Sequence, residues 1–180
     1  MTFAITSISS SKLSKKQIKS ICKLKNQEWG YGVKSQINWY NKNIKPKDIH
    51  NLFFNKSKLI GYTLLRKRTC IIKKILRKKT GADGVISQYL YFDTLILDKR
   101  FRKKKLSDLI MSFNNTIIKQ SGYFSFLICK YKLLSFYKRY GWIKLNNKGF
   151  LVKDHLFSTY GMIFNDKNYN KKNYYYYLYK

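Results

Sequence analysis

The sequence is poor in several residue types, and each scarcity excludes a class of protein or site. Its 180 residues include eight acidic residues and one proline. Three scattered cysteines, Cys22, Cys70 and Cys129, do not form the pattern of a disulfide framework or a metal site. Two histidines, His50 and His155, are too few and too far apart for a His-based metal centre. We therefore expect a reduced protein without a metal site.

Long apolar runs are also missing. No run reaches the roughly 18–20 apolar residues that a membrane-spanning helix needs. Residues 1–10 lack the basic segment that precedes the apolar part of a signal peptide. We therefore expect a cytoplasmic protein with no membrane span.

Positive charge, in contrast, is abundant. The chain carries 38 Lys and Arg residues and a formal net charge of +30. Such a balance is typical of proteins that bind nucleic acid or another polyanion. However, 32 of these residues are Lys, and the chain is also rich in Asn, Ile, Tyr and Phe, which share A/T-rich codons. Coding bias explains the charge equally well, so nucleic acid is a candidate partner whose binding we expect to be weak.

The order of elements predicts a mixed α+β domain. Hydrophobic residues make up 44% of the chain and aromatic residues 17%, which is enough for a core. Strand and helix patterns alternate irregularly through residues 1–164, and we assign this range to a single domain. Residues 165–180 form a tail rich in Lys, Asn and Tyr, which we expect to be an edge strand or flexible.

One stretch combines a strand, a basic turn and a helix start. The strand Tyr89–Leu97 is rich in aromatic and branched residues, and Lys99–Lys105 follows it. Leu106 then begins an apolar pattern at helical spacing, which ends near Gly122. The free N–H groups at a helix N-terminus attract phosphate, and the preceding basic residues would strengthen that attraction. The alternative is a solvated basic loop.

Three motifs of the sequence, one of them in this basic turn, resemble those of the GCN5-related N-acetyltransferase superfamily. Arg102 matches the first position of its Arg/Gln-x-x-Gly-x-Gly/Ala turn, and Ser107 matches the last. The segment 136–142, Phe-Tyr-Lys-Arg-Tyr-Gly-Trp, is similar to the family's Phe-Tyr-x-x-x-Gly-Phe. The segment 58–62, Lys-Leu-Ile-Gly-Tyr, is similar to an upstream strand of the family. The matches come in the family's order and together cover roughly residues 52–142.

The resemblance implies a fold and a cofactor. The expected fold is α+β, with a mixed, mostly antiparallel central sheet flanked by helices on both faces. The expected cofactor is acetyl-CoA as acyl donor, with its pyrophosphate on the basic turn and its pantetheine arm on the backbone of the preceding strand. The cofactor-binding residues implied in this way are Leu95, Leu97, Arg102, Lys103, Lys104, Lys105, Leu106 and Ser107.

The resemblance also implies two catalytic residues. Asp93 lies nine residues before Arg102, where family members often carry a general base. Tyr137 takes the position of the tyrosine that protonates the departing thiolate. Each has a plainer alternative: Asp93 pairs with one of the many lysines, and Tyr137 only packs in the core.

The function implied is an acetyl-CoA-dependent N-acetyltransferase that moves an acetyl group to a primary amine. One departure from the family pattern keeps two alternatives open. Lys105 stands where the family has a glycine, and its Cβ would crowd a turn that lies against phosphate. The alternatives are a coenzyme A-binding protein that has lost turnover, and a basic nucleic-acid-binding module.

Overall fold

A computed structural model of the chain describes residues 3–74, 84–102, 106–153, 160–166 and 174–179. The expected cofactor-binding residues Lys103, Lys104 and Lys105 lie outside the described residues. The α-helices are α1 (Lys15–Asn26), α2 (Val33–Asn43), α3 (Leu106–Ser121) and α4 (Leu134–Lys138). The strands are β1 (Phe3–Ser9), β2 (Ile49–Asn55), β3 (Lys58–Lys74), β4 (Val85–Leu97), β5 (Ser125–Cys129), β6 (Ile143–Lys144), β7 (Phe150–Val152), β8 (Tyr160–Phe164) and β9 (Tyr174–Leu178).

The chain divides into two compact units. The first comprises residues 1–66 and 92–114, and the second comprises residues 67–91 and 115–180. Strands β3 and β4 and helix α3 each contribute residues to both units.

In the first unit, β1, β2 and the first half of β3 form an antiparallel arrangement. β1 pairs with β2 from Phe3 opposite Asn55 to Ser9 opposite Ile49. β2 pairs with β3 through the turn at Lys56, whose φ of 53° is left-handed. The core of this unit consists of Ile21, Leu24, Leu52, Leu59, Tyr62, Leu64 and Ile96.

Helix α1 begins at a capping box formed by Ser14 and Gln17. The Ser14 hydroxyl accepts from the Gln17 N–H at 3.2 Å, and the Gln17 side-chain oxygen accepts from the Ser14 N–H at 2.9 Å. This pairing satisfies two backbone donors that have no partner within the helix. Ile21, Cys22 and Leu24 of α1 are buried in the core.

A buried polar network joins the middle of α3 to the strands of the first unit. The Thr63 hydroxyl donates to Asn114 Oδ1 at 2.8 Å, and Asn51 Nδ2 donates to Thr63 Oγ1 at 2.9 Å. All three side chains are fully buried. Because buried polar groups are costly unless they are bonded, this network specifies the position of α3 on β2 and β3.

Gly61 allows α3 to lie close to β3. A Cβ atom at this position would lie 2.8 Å from Ile110 Cδ1 and 3.2 Å from Phe53 Cβ. Real Cβ atoms do not approach carbon so closely, so for any larger residue the Ile110 side chain would have to shift. The glycine is therefore required by packing and not by backbone conformation.

In the second unit, β5 pairs with two strands in opposite senses. It is parallel to β4 at Leu90 and Tyr91, and antiparallel to β8 along its whole length. β6 pairs with β8. The core of this unit consists of Cys70, Tyr89, Tyr91, Phe124, Phe126, Leu145, Val152, Ile163, Tyr176 and Leu178.

Part of the tail is built into the second unit. The residues of β9 pair with the end of β3, where Cys70 lies opposite Leu178. On the other side β9 runs parallel to β7, where Phe150 lies opposite Tyr176. We expected an edge strand or a flexible end, but β9 has a strand neighbour on each side.

The expected fold class is confirmed. The described residues form a mixed α/β structure with four α-helices and a largely antiparallel sheet, in which the parallel pairs are β4 with β5 and β7 with β9. None of the helices in these residues is long and apolar enough to cross a membrane. The strand β6 was not predicted, because two residues are too few to show an alternating pattern.

Candidate active site

The first unit contains a cavity of about 310 Å³ bordered by α1, α2 and β4. Its walls include Lys25, Trp29, Tyr31, Trp39, Asp93 and Thr94. Aromatic walls with a few convergent polar groups are typical of a small-molecule site. The cavity holds Asp93, which the sequence marks as a candidate catalytic residue.

The loop between α1 and α2 carries Trp29 into the cavity wall. Asn26 Oδ1 accepts from the Gly32 N–H at 2.8 Å, and Gln36 Nε2 donates to the Trp29 carbonyl at 3.1 Å. Gly32 has a φ of 86°, a conformation that favours glycine. The loop is thus fixed by side chains from both helices, and Trp29 is held in place.

Asp93 is held on both of its carboxylate oxygens. Arg66 Nη1 donates to Oδ1 at 3.2 Å, and the Thr94 hydroxyl donates to Oδ2 at 3.1 Å. Arg66 Nη2 also donates to the Asn43 carbonyl at the end of α2. The Asp93 side chain is 16% exposed. Its ion-pair partner is therefore an arginine, and the carboxylate borders the cavity in a fixed orientation.

Lys25 is a buried cation in the same cavity. The residue is 7% exposed, and its Nζ lies 3.8 Å from the centre of the Trp39 ring and 5.8 Å from that of Trp29. Burial lowers the pKa of this ammonium, while the nearby Asp93 carboxylate acts in the opposite direction. Sequence reasoning missed Lys25 among 32 lysines. The feature of the sequence that could have identified Lys25 is its position four residues after Ile21, on the apolar face of α1.

The backbone N–H groups of Leu90, in β4, and of Asp98, just after it, bond to different neighbouring strands. Leu90 donates its N–H to the Phe124 carbonyl, towards β5, whereas Asp98 donates its N–H to the Ile60 carbonyl on β3. β4 lies between β3 and β5, and N–H groups an even number of residues apart on a regular strand point to the same side. Asp93 and Thr94 both line the cavity, although successive residues of a regular strand face opposite sides. The change of side therefore falls between Leu90 and Asp98.

The Asp98 N–H, which bonds to the Ile60 carbonyl on β3, gives a reference for the backbone at Leu95 and Leu97. N–H groups alternate sides along an extended strand, so we expect those of Leu95 and Leu97 to point away from β3. Two N–H groups in this orientation would suit the expected contact with a pantetheine arm.

The turn after β4 is anchored by Asp98. This carboxylate is 1% exposed and accepts from the Arg100 N–H at 3.1 Å and from the Arg100 guanidinium at 2.8 Å. Lys58 lies 3.7 Å from the same carboxylate. Sequence reasoning assigned no role to Asp98. Because the Asp98 carboxylate bonds to Arg100 within the same turn, it fixes the direction in which the chain continues towards α3.

The Arg102 side chain is already paired. Its Nη2 donates to Glu28, and its Nε donates to the Leu97 carbonyl at 3.1 Å. Both members of the ion pair are exposed to solvent. Leu106 and Ser107 are half-buried in the first turn of α3. The described site residues in the first unit are thus Asp93, Leu95, Leu97, Arg102, Leu106 and Ser107.

Tyr137 belongs to the second unit and lies on the short helix α4. It is 9% exposed, and its ring packs against Phe136 and Trp142 at centroid distances of 5.1 and 6.1 Å. Burial raises the pKa of its phenol. The group therefore stays protonated at neutral pH, which is the form required of a proton donor. Gly141 ends this segment with a φ of 80°.

Within the described residues, no group of three or more His, Cys, Asp or Glu side chains is placed to hold a metal ion. Burial raises the pKa of the Cys129 thiol to about 11. Cys129 is therefore protonated at neutral pH and is a poor nucleophile.

No protein-family model matches the sequence, and a comparison with curated proteins finds no match. Solved structures do match. An acyl-CoA N-acyltransferase from Pseudomonas aeruginosa has a TM-score of 0.61 and 14% identity, covering 90% of this chain and 99% of its own. ElaA from Escherichia coli has a TM-score of 0.62 with the same identity and coverage. An aminoglycoside 6'-N-acetyltransferase in complex with coenzyme A has a TM-score of 0.59 and 10% identity, covering 88% of this chain and 96% of its own.

These likenesses define the class of fold. The chain has the fold of the GCN5-related N-acetyltransferases, as its motifs predict. Identities of 10–17% show the fold alone. The reaction must therefore be argued from the site.

Proposed function

We propose that the protein is an acetyl-CoA-dependent N-acetyltransferase that transfers an acetyl group to a primary amine. The observation that carries this proposal is on β4. Asp93 on this strand borders a cavity with aromatic walls, and we expect the N–H groups of Leu95 and Leu97, two and four residues later, to point away from β3. Solved structures of the same fold contain coenzyme A.

Residues of the first unit would hold the acyl donor. The N–H groups of Leu95 and Leu97 would pair with the pantetheine arm, and the first turn of α3 at Leu106 and Ser107 would face the pyrophosphate. Arg102 would contribute its charge, but phosphate must compete with Glu28 for this guanidinium. We expect Lys103, Lys104 and Lys105 to add positive charge to the same turn.

Asp93 would bind the acceptor amine and take up its proton. Acetyl-CoA, when bound, supplies the thioester whose C–S bond breaks as the new N–C bond forms. Asp93 accepts the proton that the amine loses, directly or through water. Arg66 and Thr94 keep the carboxylate facing the cavity during this step. The similarity of segment 136–142 to the family motif supports Tyr137 as the residue that would protonate the departing thiolate.

The test separates donor binding from turnover. Calorimetry with acetyl-CoA measures binding, and the release of free thiol in the presence of primary amines measures transfer. We expect Asp93→Asn to keep acetyl-CoA affinity and to lower turnover by roughly 10²–10⁴-fold, because the amide has nearly the same shape but is not a base. If the unchanged protein gives no heat and no thermal shift with millimolar acetyl-CoA, the proposal is wrong.

One alternative has a specific observation in its favour. Lys105 replaces the glycine of the phosphate turn, which favours a coenzyme A-binding protein without turnover. Binding of acetyl-CoA with no thiol release for any amine tested would support this alternative. Replacement of Lys105 by glycine is then expected to strengthen donor binding without restoring transfer.

A further inference from the structure

The residue Lys25 is buried, but its ammonium borders the open cavity. Its Nζ contacts the rings of Trp39 and Trp29, and it has no hydrogen bond or ion pair to any residue in the described part of the chain. A lysine that is 7% exposed is unusual unless something pairs with it. Lys25 borders the cavity, so a ligand in the cavity can provide the missing partner.

The charges around the cavity do not cancel. Lys25 and Arg66 are positive and Asp93 is negative. Arg66 and Asp93 form an ion pair with each other at 3.2 Å. The positive charge of Lys25 is therefore not neutralised by these two residues, and it favours an anionic group on the ligand.

The ring faces also disfavour a polycationic ligand. Aromatic rings recognise ammonium groups through their faces. Here Lys25 Nζ lies 3.8 Å from the Trp39 ring centre, and the Arg66 guanidinium carbon lies 5.6 Å from it. At the Trp39 ring, the protein's own cations thus occupy the positions that a polyamine or an aminoglycoside would use.

We propose that the acceptor is a small amine that also carries a carboxylate, an amino-acid-like molecule whose carboxylate pairs with Lys25. This inference rests on the proposed function, in which Asp93 receives the amine. The aromatic walls formed by Trp29 and Tyr31 suit an apolar or aromatic side chain on the same molecule. A volume of about 310 Å³ agrees with a ligand of this size.

The test compares amines with and without the carboxylate. The matched probes are L-phenylalanine with phenethylamine, L-tryptophan with tryptamine, and L-leucine with isoamylamine. Calorimetry on the full chain measures the binding of each probe without relying on turnover. A hydrogen bond to a charged group is expected to favour the amino acid of at least one pair by roughly 10- to 100-fold.

Three variants test whether Lys25 is responsible. Lys25→Met removes the charge and keeps the length of the side chain, and we expect it to abolish the preference for the amino acid. Lys25→Arg keeps the charge and is expected to retain part of the preference. Lys23→Met is the matched control, because Lys23 is exposed on the same helix and its loss should change nothing.

The inference is wrong if no amino acid of the set binds at millimolar concentration, or if each amine binds as tightly as its amino acid. It is also wrong if the preference survives in Lys25→Met. Acetyl-CoA titrations of the same samples report separately on the proposed function. A Lys25-dependent preference without acetyl-CoA binding would leave the anion site in place and overturn the transferase proposal alone.

Discussion

The ammonium of Lys25 lies over the ring of Trp39, 3.8 Å from its centre, inside a cavity that also holds Asp93. A desolvated cation over an indole ring is stabilised by about 2 kcal/mol. We expect Trp39→Leu to lower the free energy of unfolding by about 2 kcal/mol or more, because both Lys25 and Arg66 lose this ring. The comparison in chemical denaturation is Trp29→Leu, which loses only a contact at 5.8 Å and should cost less. An equal loss of unfolding free energy in both variants would contradict the assignment of the main Lys25 ring contact to Trp39.

Tyr137 offers a separate test of proton donation. Tyr137→Phe keeps the ring and its packing against Trp142 but removes the phenol. If Tyr137 is the general acid, kcat should fall by roughly 10²–10⁴-fold while acetyl-CoA affinity is unchanged. Tyr140→Phe, three residues along the chain, serves as the control. Unchanged turnover in Tyr137→Phe would leave this residue with a packing role only.

His50 makes the stability of the fold depend on pH. The ring is fully buried, with Ser10 Oγ at 2.7 Å and the Tyr62 hydroxyl at 2.8 Å, and burial lowers its pKa to about 4. The unfolded chain, with an ordinary pKa of about 6.5, takes up a proton before the folded chain does. The free energy of unfolding should therefore be highest above about pH 6.5 and fall by about 3 kcal/mol as the pH drops towards 4.

Urea unfolding at several pH values checks this prediction. His50→Gln removes the titrating group and keeps a polar side chain of similar reach. It should flatten the pH dependence between pH 4 and pH 6.5, while its overall stability is lower. The same slope in His50→Gln as in the unchanged protein would assign the dependence to another group.

Gly61 should be intolerant of a larger residue. Gly61→Ala places a Cβ 2.8 Å from Ile110 Cδ1, and overpacking of this kind costs about 1–3 kcal/mol. Ile110→Val removes that Cδ1 atom, so the double variant should recover part of the loss. Gly30→Ala is the control, because a Cβ there meets nothing within 4 Å. Thermal melts of the unchanged protein and the four variants are sufficient, and additive losses in the double variant would contradict the packing argument.

The charge of +30 predicts weak and nonspecific binding to nucleic acid. If the contacts are to phosphate alone, affinity should be micromolar or weaker at physiological salt, with a steep salt dependence. Titration of single- and double-stranded oligonucleotides across salt measures this. Deletion of residues 165–180 is not a usable variant, since Tyr176 and Leu178 belong to the core of the second unit. Nanomolar binding at physiological salt would favour the nucleic-acid alternative.

Local features of this protein follow from the sequence because their partners are near neighbours. The capping box of α1 joins residues three apart, and Gly122 follows α3 with a φ of 72°, as its position predicts. The apolar spacing of α3 likewise predicts a helix from Leu106. The motif order from residue 52 to residue 142 was enough to indicate the fold, and the solved structures agree with it.

The cavity and its charges were decided by tertiary structure. Arg66 reaches Asp93 across 27 positions of sequence, and nothing local distinguishes it from the other basic residues. Lys25 is one of 32 lysines, and only the packing of α1 and α2 against β4 makes it a buried cation. A capping motif or a helical face is determined by bonds within a few residues. The partner of a charge, however, is determined by which distant segments the core brings together, and a single sequence carries no local record of that choice.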